Sequence, residues 1–267
     1  MPKFGVTNLH AIVFNYLTCF IVGSLVYGKM PITGAILGTT WFPYAVFLSF
    51  TFIIFFNVNA FTIQKVGMVI TSVFQKLSLV FPVVVGLLFF GETSNSMKLF
   101  AISLTLVAII LINLPDKRIL TGNSEVRKYW YWPIIVFLGS GLIEITLLYV
   151  QETGKVVDAG VAFVTILFFL AGCWGTLFML FTGAVARVKL VDVIAGVMIG
   201  IPNFFTIWLL LRGLEIGIEG SVLFPINNVG VIFFTALVGI FIFKERMSKL
   251  NYIGLALAIG AVYLISS

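Results

Sequence analysis

Long apolar runs separated by short polar stretches organise this sequence. A membrane-crossing helix needs about 20 mostly apolar residues, and nine segments of about that length meet the requirement. They cover 9–28, 40–60, 66–90, 98–114, 131–150, 159–182, 190–211, 219–243 and 250–266. None alternates apolar and polar residues with a period of two, which argues against a β-barrel. We therefore predict an all-α integral membrane protein with about nine transmembrane helices.

The composition supports a lipid environment for these segments. Hydrophobic residues make up 61% of the chain, charged residues 10%, and the mean hydropathy is +1.17. Soluble domains carry about 25% charged residues. Cys19 and Cys173 fall in apolar stretches and are interpreted as small buried hydrophobes. The net charge of +6 is expected in loops, where it sets membrane topology, so no nucleic-acid partner is predicted.

An internal repeat emerges when the chain is shifted by 153 residues. Residues 67–114 then align with 220–267 without a gap, and eleven of forty-eight positions are identical, including Gly67/Gly220 and Glu92/Glu245. Five crossings separate the two windows, so they run in opposite directions. This arrangement predicts two inverted-topology repeats, which are typical of secondary transporters. The predicted division is a first repeat at 1–114, a loop at 115–129 and a second repeat at 130–267.

The two repeats differ in their number of apolar segments. The second has five and the first has four, and the missing counterpart of 131–150 should precede residue 9. We expect an architecture of ten helices from which the first helix is absent here. The alternative is a genuine nine-helix protein.

The ends of two corresponding apolar segments carry a family resemblance. Gly91-Glu92 in the first repeat and Lys244-Glu245 in the second are each followed by a short polar turn and a final helix containing Gly and Ala. This pattern resembles the EamA domain of the drug/metabolite transporter superfamily, in two tandem copies over nearly the whole chain. Two tripeptides also resemble the small-residue junction before each copy's fourth helix: Asn59-Ala60-Phe61 and Arg212-Gly213-Leu214.

The sequence departs from that family pattern in two places. Lys244 stands where the second copy usually has glycine, and the proline usual in each fourth helix is displaced to Pro82 and Pro225. The resemblance implies a ten-helix exporter or exchanger of amino acids, sugars, nucleotides or related metabolites.

The expected function is therefore secondary transport of a small polar metabolite across the cell membrane, most simply a bacterial inner membrane. A proton or a counter-substrate would be the coupling partner, and neither a cofactor nor a metal is expected. An enzyme is not predicted, because His10 is the single histidine and no Asp-x-x-Asp spacing or phosphate-binding loop occurs. The alternative is a non-transporting membrane receptor or assembly factor.

Two ionisable residues lie inside predicted membrane segments. Lys76 is near the middle of 66–90 and Glu144 is inside 131–150. A charged group at mid-membrane costs about 2.5–3.5 kcal/mol, so both should face protein or water. They could form a cavity pair that binds a charged substrate or a proton. The alternatives are a structural ion pair, or a Lys76 stem that reaches toward the interface. By resemblance, small multidrug-resistance relatives carry their proton-linked acid in the first helix of the repeat, where Glu144 lies.

Amide side chains extend the candidate site. Gln75 aligns with Asn228 under the repeat offset, and Asn227 is beside it. Pro225 begins a Pro-Ile-Asn-Asn run that should open the helical hydrogen-bond ladder and expose groups to a ligand. Asn203 could line the same cavity. The alternative is that these amides only hydrogen bond neighbouring helices, at about 0.6 kcal/mol each.

The distribution of basic residues predicts an orientation that competes with the family resemblance. Numbering sides by crossing puts eleven lysines and arginines on one side and four on the other, namely Lys29, Lys98, Lys155 and Arg212. The positive-inside rule then places Met1 and the 115–129 loop in the cytoplasm. The resemblance implies a cytoplasmic Ser267 instead, which would place this Met1 outside. The eleven are Lys3, Lys65, Lys117, Arg118, Arg127, Lys128, Arg187, Lys189, Lys244, Arg246 and Lys249.

Overall fold

The computed structural model describes residues 6–112, 128–156, 160–241 and 248–266. Ten α-helices follow one another in that part of the chain, with short 3₁₀ turns at Gly34–Gly38 and Ala184–Arg187. The helices are α1 (Asn8–Tyr27), α2 (Phe42–Val66), α3 (Met68–Leu77), α4 (Val80–Phe89), α5 (Ser96–Ile112), α6 (Trp132–Glu152), α7 (Val161–Phe181), α8 (Leu190–Glu215), α9 (Gly220–Phe241) and α10 (Lys249–Ser266). No strand occurs among the described residues.

Among the described residues, seven helical segments are long and apolar enough to cross a membrane. Six are single helices, and the seventh, Met68–Phe89, combines α3 and α4. The apolar helices α5 and α10 are shorter. The prediction of an all-helical protein with several helices able to cross a membrane is confirmed for the described residues. The count of nine spans stays a prediction.

The chain divides into two compact units that differ from the two predicted repeats. Unit 1 comprises Met1–Ala60 and Thr146–Ile216, and unit 2 comprises Phe61–Ile145 and Gly217–Ser267. Each unit therefore takes helices from both sides of the predicted 115–129 loop. Most of that loop, like Lys244 and Glu245, lies outside the described residues.

Unit 1 is built on the packing of α1 against α7 and α8. Two glycines one turn apart, Gly196 and Gly200, bring α8 close to α1 because neither has a side chain. A Cβ atom at Gly200 would lie 2.7 Å from the carbonyl oxygen of Asn15, and it would also meet the side chain of Thr18. The two backbones thus approach more closely than an alanine at position 200 would allow.

A buried carboxylate joins the first turns of α1 and α8 in unit 1. Asp192 is fully buried and accepts hydrogen bonds from the backbone N–H groups of Thr7, at 2.7 Å, and Lys189, at 3.1 Å. Its other contact is Nδ1 of buried His10, at 2.9 Å. Free N–H groups at helix starts favour an anionic partner, so one side chain satisfies both helix ends.

Unit 2 is organised by two pairs of packed helices, α5 with α10 and α4 with α9. Its core contains Leu79, Val83 and Ile232, all nearly inaccessible. At the end of α5 the amide of Asn251 donates to the carbonyl of Ile112 at 2.7 Å. This bond satisfies a carbonyl that has no partner within its own helix.

Candidate functional site

The third predicted segment is interrupted between α3 and α4, at Ser78 and Leu79. Pro82 has no N–H group, so it cannot donate to the carbonyl of Ser78 four residues earlier. The N–H of Phe81 donates to that carbonyl instead, at 2.9 Å, and the N–H of Leu79 donates to the carbonyl of Lys76 at 3.4 Å. These three-residue spacings tighten one turn between α3 and α4, where Ser78 and Leu79 keep right-handed helical backbone angles, within one membrane-spanning segment.

Glu144 on α6 is hydrogen bonded to Ser78, at the turn between α3 and α4. The hydroxyl of buried Ser78 donates to Oε2 of Glu144 at 3.0 Å, and it also lies 2.6 Å from the carbonyl of Gln75. The side-chain amide of Asn228 is close enough to interact with the same carboxylate. Lys76 is close enough to interact with Glu144 electrostatically. The structure thus brings Lys76, Glu144 and Asn228 together within unit 2.

Asn228 is held in place by its own helix. It is 2% exposed, and its amide donates to the carbonyl of Phe224 at 3.1 Å. Helix α9 continues through Pro225 without a break, so the expectation of an opened helix at that proline is wrong. A proline removes only one ladder bond, and the neighbouring turns preserve the helix here. Asn227 is half-buried on the same helix.

The remaining predicted residues occupy different positions. Gln75 is half-buried at the end of α3, next to the break. Asn203 belongs to unit 1, where its amide donates to Oδ1 of Asn15 at 3.2 Å and lies 3.7 Å from the sulfur of Cys19. Five of the six candidates therefore lie in unit 2, and Asn203 belongs to a separate polar group. A cavity shared by all six stays a prediction.

Ser78 is the member of this site that the sequence analysis missed. Its position four residues before Pro82 could have indicated its importance. In a helix, a proline has no N–H group to donate to the backbone carbonyl four residues earlier, which here is the carbonyl of Ser78. A second serine, Ser221, precedes Pro225 by the same four residues, and its buried hydroxyl has no hydrogen-bond partner among the described residues.

A reciprocal set of bonds joins the α4–α5 connection to the start of α9, and we call it the carboxylate clasp. Oε1 and Oε2 of Glu92 accept from the backbone N–H groups of Gly220 and Ser221, both at 2.8 Å. In return, Glu219 accepts from the backbone N–H of Thr93 at 2.9 Å. An anion at a helix N-terminus is stabilised by the free N–H groups and the helix dipole. The repeated Glu92 therefore has a defined structural role.

Lys98 completes the carboxylate clasp. Its ammonium pairs with Glu219 and donates to the carbonyl of Thr93 at 2.9 Å. The expectation that the basic residues outside Lys76 lie in loops is wrong for Lys65, Lys98, Arg212 and Lys249, which lie at helix ends. Lys98 is in the first turn of α5 and only 6% exposed. The ion pair and the carbonyl explain how this charge can be buried.

The described residues contain no group of three or more histidine, cysteine or acidic side chains able to hold a metal ion. A pocket of about 310 Å³ lies in unit 1, between Tyr27, Lys29, Trp41 and Phe163. None of the six predicted site residues lines it. The polar cluster of unit 2, made by Lys76, Ser78, Glu144 and Asn228, therefore remains the candidate site.

Comparisons with known proteins identify a shared fold and no family. No family model matches the chain. A Haemophilus influenzae protein described as "Uncharacterized protein" is 29% identical over 206 residues, covering 75% of this chain and 67% of that protein. A solved structure described as "Crystal structure of protein" has a TM-score of 0.75 at 13% identity, covering 97% of this chain and 87% of that one. At that identity the similarity shows that the two chains share a fold.

Proposed function

We propose that this chain is a secondary transporter, an exporter or exchanger of a small polar metabolite in a bacterial inner membrane. The observation that carries the proposal is the polar cluster of unit 2, at a break inside a membrane-spanning segment. Ionisable groups are costly in such segments and usually serve a ligand or ion pathway. Transporters recurrently present polar groups at mid-membrane where a helix departs from regular geometry, and the tightened turn at Ser78 is such a place.

The helix bounds support the predicted repeat. Adding the 153-residue offset to α1, Asn8–Tyr27, gives 161–180, and α7 is Val161–Phe181. The same offset takes α5, Ser96–Ile112, to 249–265, and α10 is Lys249–Ser266. Helices related in this way also pack together, α1 on α7 and α5 on α10. This correspondence favours a two-repeat transporter that resembles the EamA domain.

Ser78 offers a way for the cluster to accommodate a change of charge. A hydroxyl has one proton to donate, and Ser78 has two acceptors within reach, Glu144 and the carbonyl of Gln75. It can donate to an ionised Glu144, or donate to the carbonyl of Gln75 and accept a hydrogen bond from a protonated Glu144. This exchange would let Glu144 take part in proton coupling. A counter-substrate is the alternative coupling partner.

The proposal is tested by reconstituting the full chain into liposomes and measuring counterflow of a panel of labelled amino acids, nucleotides and sugar derivatives. We expect at least one compound to move unchanged above the level of empty liposomes, and Glu144→Gln to reduce that movement. Conversion of the compound would indicate an enzyme. If no compound moves although the reconstituted protein is folded and monodisperse, the transport proposal is wrong.

A further inference from the structure

Two neighbouring cavities in unit 1 share Lys29 and Met30. The first is the pocket of about 310 Å³, which we call the aromatic pocket; its other lining residues include Tyr27, Thr33, Ala35, Thr39, Trp41 and Phe163. The second has a volume of about 470 Å³, and we call it the α1 groove because it follows the last turns of that helix, at Phe20, Ile21, Ser24, Leu25 and Gly28. Because two lining residues are shared, one ligand can occupy both cavities.

The aromatic pocket lies at one end of three membrane-crossing helices. It is lined by residues at the end of α1, just before α2 and in the first turn of α7, and all three helices are long and apolar enough to cross a membrane. Tyrosine and tryptophan are enriched where such helices reach the membrane–water interface. Trp41 is 8% exposed and packs edge-on against Phe163, with ring centroids 5.9 Å apart. The pocket therefore has a packed aromatic wall at the level expected for lipid head groups.

The α1 groove is apolar and faces outward from a membrane-spanning helix. Ile21 and Leu25 are 57% and 76% exposed. The hydroxyl of Ser24 donates to the carbonyl of Phe20 at 2.8 Å, so it is satisfied within the helix and adds little polarity. The helix rises about 10 Å between Phe20 and Tyr27. This surface is as apolar as a lipid tail and matches the upper part of an acyl chain.

Lys29 gives the site its charge. It is the only charged residue that lines either cavity in the part of the chain that the structure describes. Its side chain is exposed, and Nζ lies 4.7 Å from the centroid of the Tyr27 ring. An aromatic ring attracts a cation without neutralising it, so this ammonium can still pair with an anion. Thr33 adds a hydroxyl to the same pocket, and a hydroxyl can donate to a phosphate oxygen.

We propose that these two cavities bind one anionic phospholipid, with its phosphate at Lys29 in the aromatic pocket and one acyl chain in the α1 groove. The pocket is at the small end of the range for ligand sites, about 300–1,000 Å³, which suits a head group. A soluble phosphate would leave the groove empty. A zwitterionic head group would bring a cation for which the described lining offers no acidic partner. The proposal does not depend on the proposed transport function.

The test measures binding of the first lipid to the full chain in detergent by native mass spectrometry. Three compounds are titrated: dioleoylphosphatidylglycerol, dioleoylphosphatidylcholine with the same chains, and glycerol 3-phosphate without chains. We expect the anionic lipid to bind about fivefold or more tightly than the zwitterionic one, the factor expected for one lysine near an anionic head group. Glycerol 3-phosphate should not bind at the same concentrations, because it has no chain for the groove to bury.

Variants assign this preference to the two cavities. Lys29→Met should weaken binding of the anionic lipid about fivefold and leave that of the zwitterionic lipid unchanged; Lys29→Gln serves if it does not fold. Ala35→Phe should also weaken binding, because exposed Ala35 lines the aromatic pocket and a larger side chain would occupy it. The matched control is Arg187→Met, because Arg187 is exposed in the turn that follows α7, at the far end of that helix from the pocket. It should leave binding unchanged.

Each other outcome would overturn the lipid site. Equal affinity for the two lipids, or unchanged affinity in both Lys29→Met and Ala35→Phe, would show that neither cavity selects the anionic lipid. An equal loss in Arg187→Met would indicate a general attraction to basic surface. Binding of glycerol 3-phosphate as tight as that of the anionic lipid would indicate a soluble phosphate ligand instead. All of these results leave the transport proposal to its own test.

Discussion

At the scale of single residues, Ser78 links the helix break to Glu144. Ser78→Ala removes the hydroxyl donor but little volume. A hydrogen bond to a charged group contributes about 1.5–3 kcal/mol, so under the proposed transport function we expect counterflow to fall by about tenfold or more. Ser103→Ala is the control, because Ser103 is exposed and bonds only within α5. Counterflow measurements on both variants check this, and unchanged activity of Ser78→Ala would remove Ser78 from the site.

A second residue-scale prediction concerns the buried carboxylate of unit 1. Asp192→Asn replaces one acceptor oxygen by an amide that cannot accept from Thr7, His10 and Lys189 together. We expect a loss of about 1–3 kcal/mol in unfolding free energy, because buried backbone N–H groups would lose a partner. Denaturation in detergent measures it.

The control for Asp192→Asn is Arg212→Gln. Arg212 is about half exposed and pairs with Glu215 one turn away on the same helix. Exposed pairs contribute about 0–1 kcal/mol, so this change should be nearly neutral. If both variants lowered the unfolding free energy equally, the hydrogen bonds of Asp192 would not contribute more to stability than an exposed ion pair does.

The sequence predicted the charged residues of the candidate site and missed its hydroxyl for a physical reason. Lys76 and Glu144 stand out because charges are rare in apolar segments. A serine is tolerated at many positions in such helices, and Ser78 matters only through its distance from Pro82 and the neighbouring α6. Asn203 was grouped with the candidate site but belongs to unit 1. Nothing in an amide side chain indicates which compact unit the residue will belong to.

At the scale of helices, the approach of α8 to α1 depends on Gly200. Gly200→Ala puts a methyl group against the backbone of Asn15, which cannot move without shifting α1. Overpacking of this kind costs about 1–3 kcal/mol. We expect a lower thermal midpoint in detergent.

Gly260→Ala is the matched control for Gly200→Ala. Gly260 is also helical, and a Cβ atom there would meet nothing within 4 Å. Alanine stabilises a helix interior relative to glycine by up to about 1 kcal/mol, so the midpoint should stay or rise. A fall in both variants would mean that α8 does not depend on this close approach.

The carboxylate clasp should make unit 2 sensitive to acid. Burial raises the pKa of Glu219, but hydrogen bonds from Lys98 and Thr93 outweigh it and hold the pKa below the usual glutamate range. A lowered folded-state pKa gives stability that is complete above the unfolded-state pKa and is lost as pH falls through the folded-state value. The loss should therefore occur in the acid range, below about pH 4.5.

Glu219→Gln tests this dependence. We expect it to lower the thermal midpoint by about 2–4 °C or more near neutral pH, and the difference from the natural sequence should vanish as the pH falls. Glu215→Gln, at the exposed pair with Arg212, should show a smaller difference at every pH. A constant difference for Glu219→Gln down to pH 3 would contradict the carboxylate clasp.

Most helix ends lie within two residues of the apolar runs, but α2 ends at Val66 and α8 at Glu215, beyond the predicted 60 and 211. The helix interruption did not follow from the apolar runs. Hydropathy located the third segment because the mean hydropathy is high over the whole segment. A mean hydropathy carries no information about which backbone hydrogen bonds are missing. Pro82 accompanies a break and Pro225 does not. The difference depends on which backbone and side-chain donors surround each proline, and a proline's presence in the sequence does not specify those.

At the scale of the whole molecule, the charge distribution predicts which side of the membrane carries the loop at 115–129. Thr121→Cys, with Cys19 and Cys173 replaced by alanine, gives one thiol for labelling in intact cells. The positive-inside rule predicts that an impermeant reagent will not modify it. Thr33→Cys, on the other side of α1 by crossing count, should be modified. The reverse pattern would show that the charge rule fails here.

The division into compact units also has a consequence for the order in which the protein can be assembled. Unit 1 needs residues up to Ile216 and unit 2 needs residues up to Ser267, so neither is complete when the first half leaves the ribosome. Helices α4 and α5 enter the membrane before their packing partners α9 and α10 have been synthesised. Glu144 likewise precedes its neighbour Asn228. A gene divided at codon 121 would encode two fragments that each lack part of both units. Each fragment should be degraded when made alone, and the two should persist only when made together.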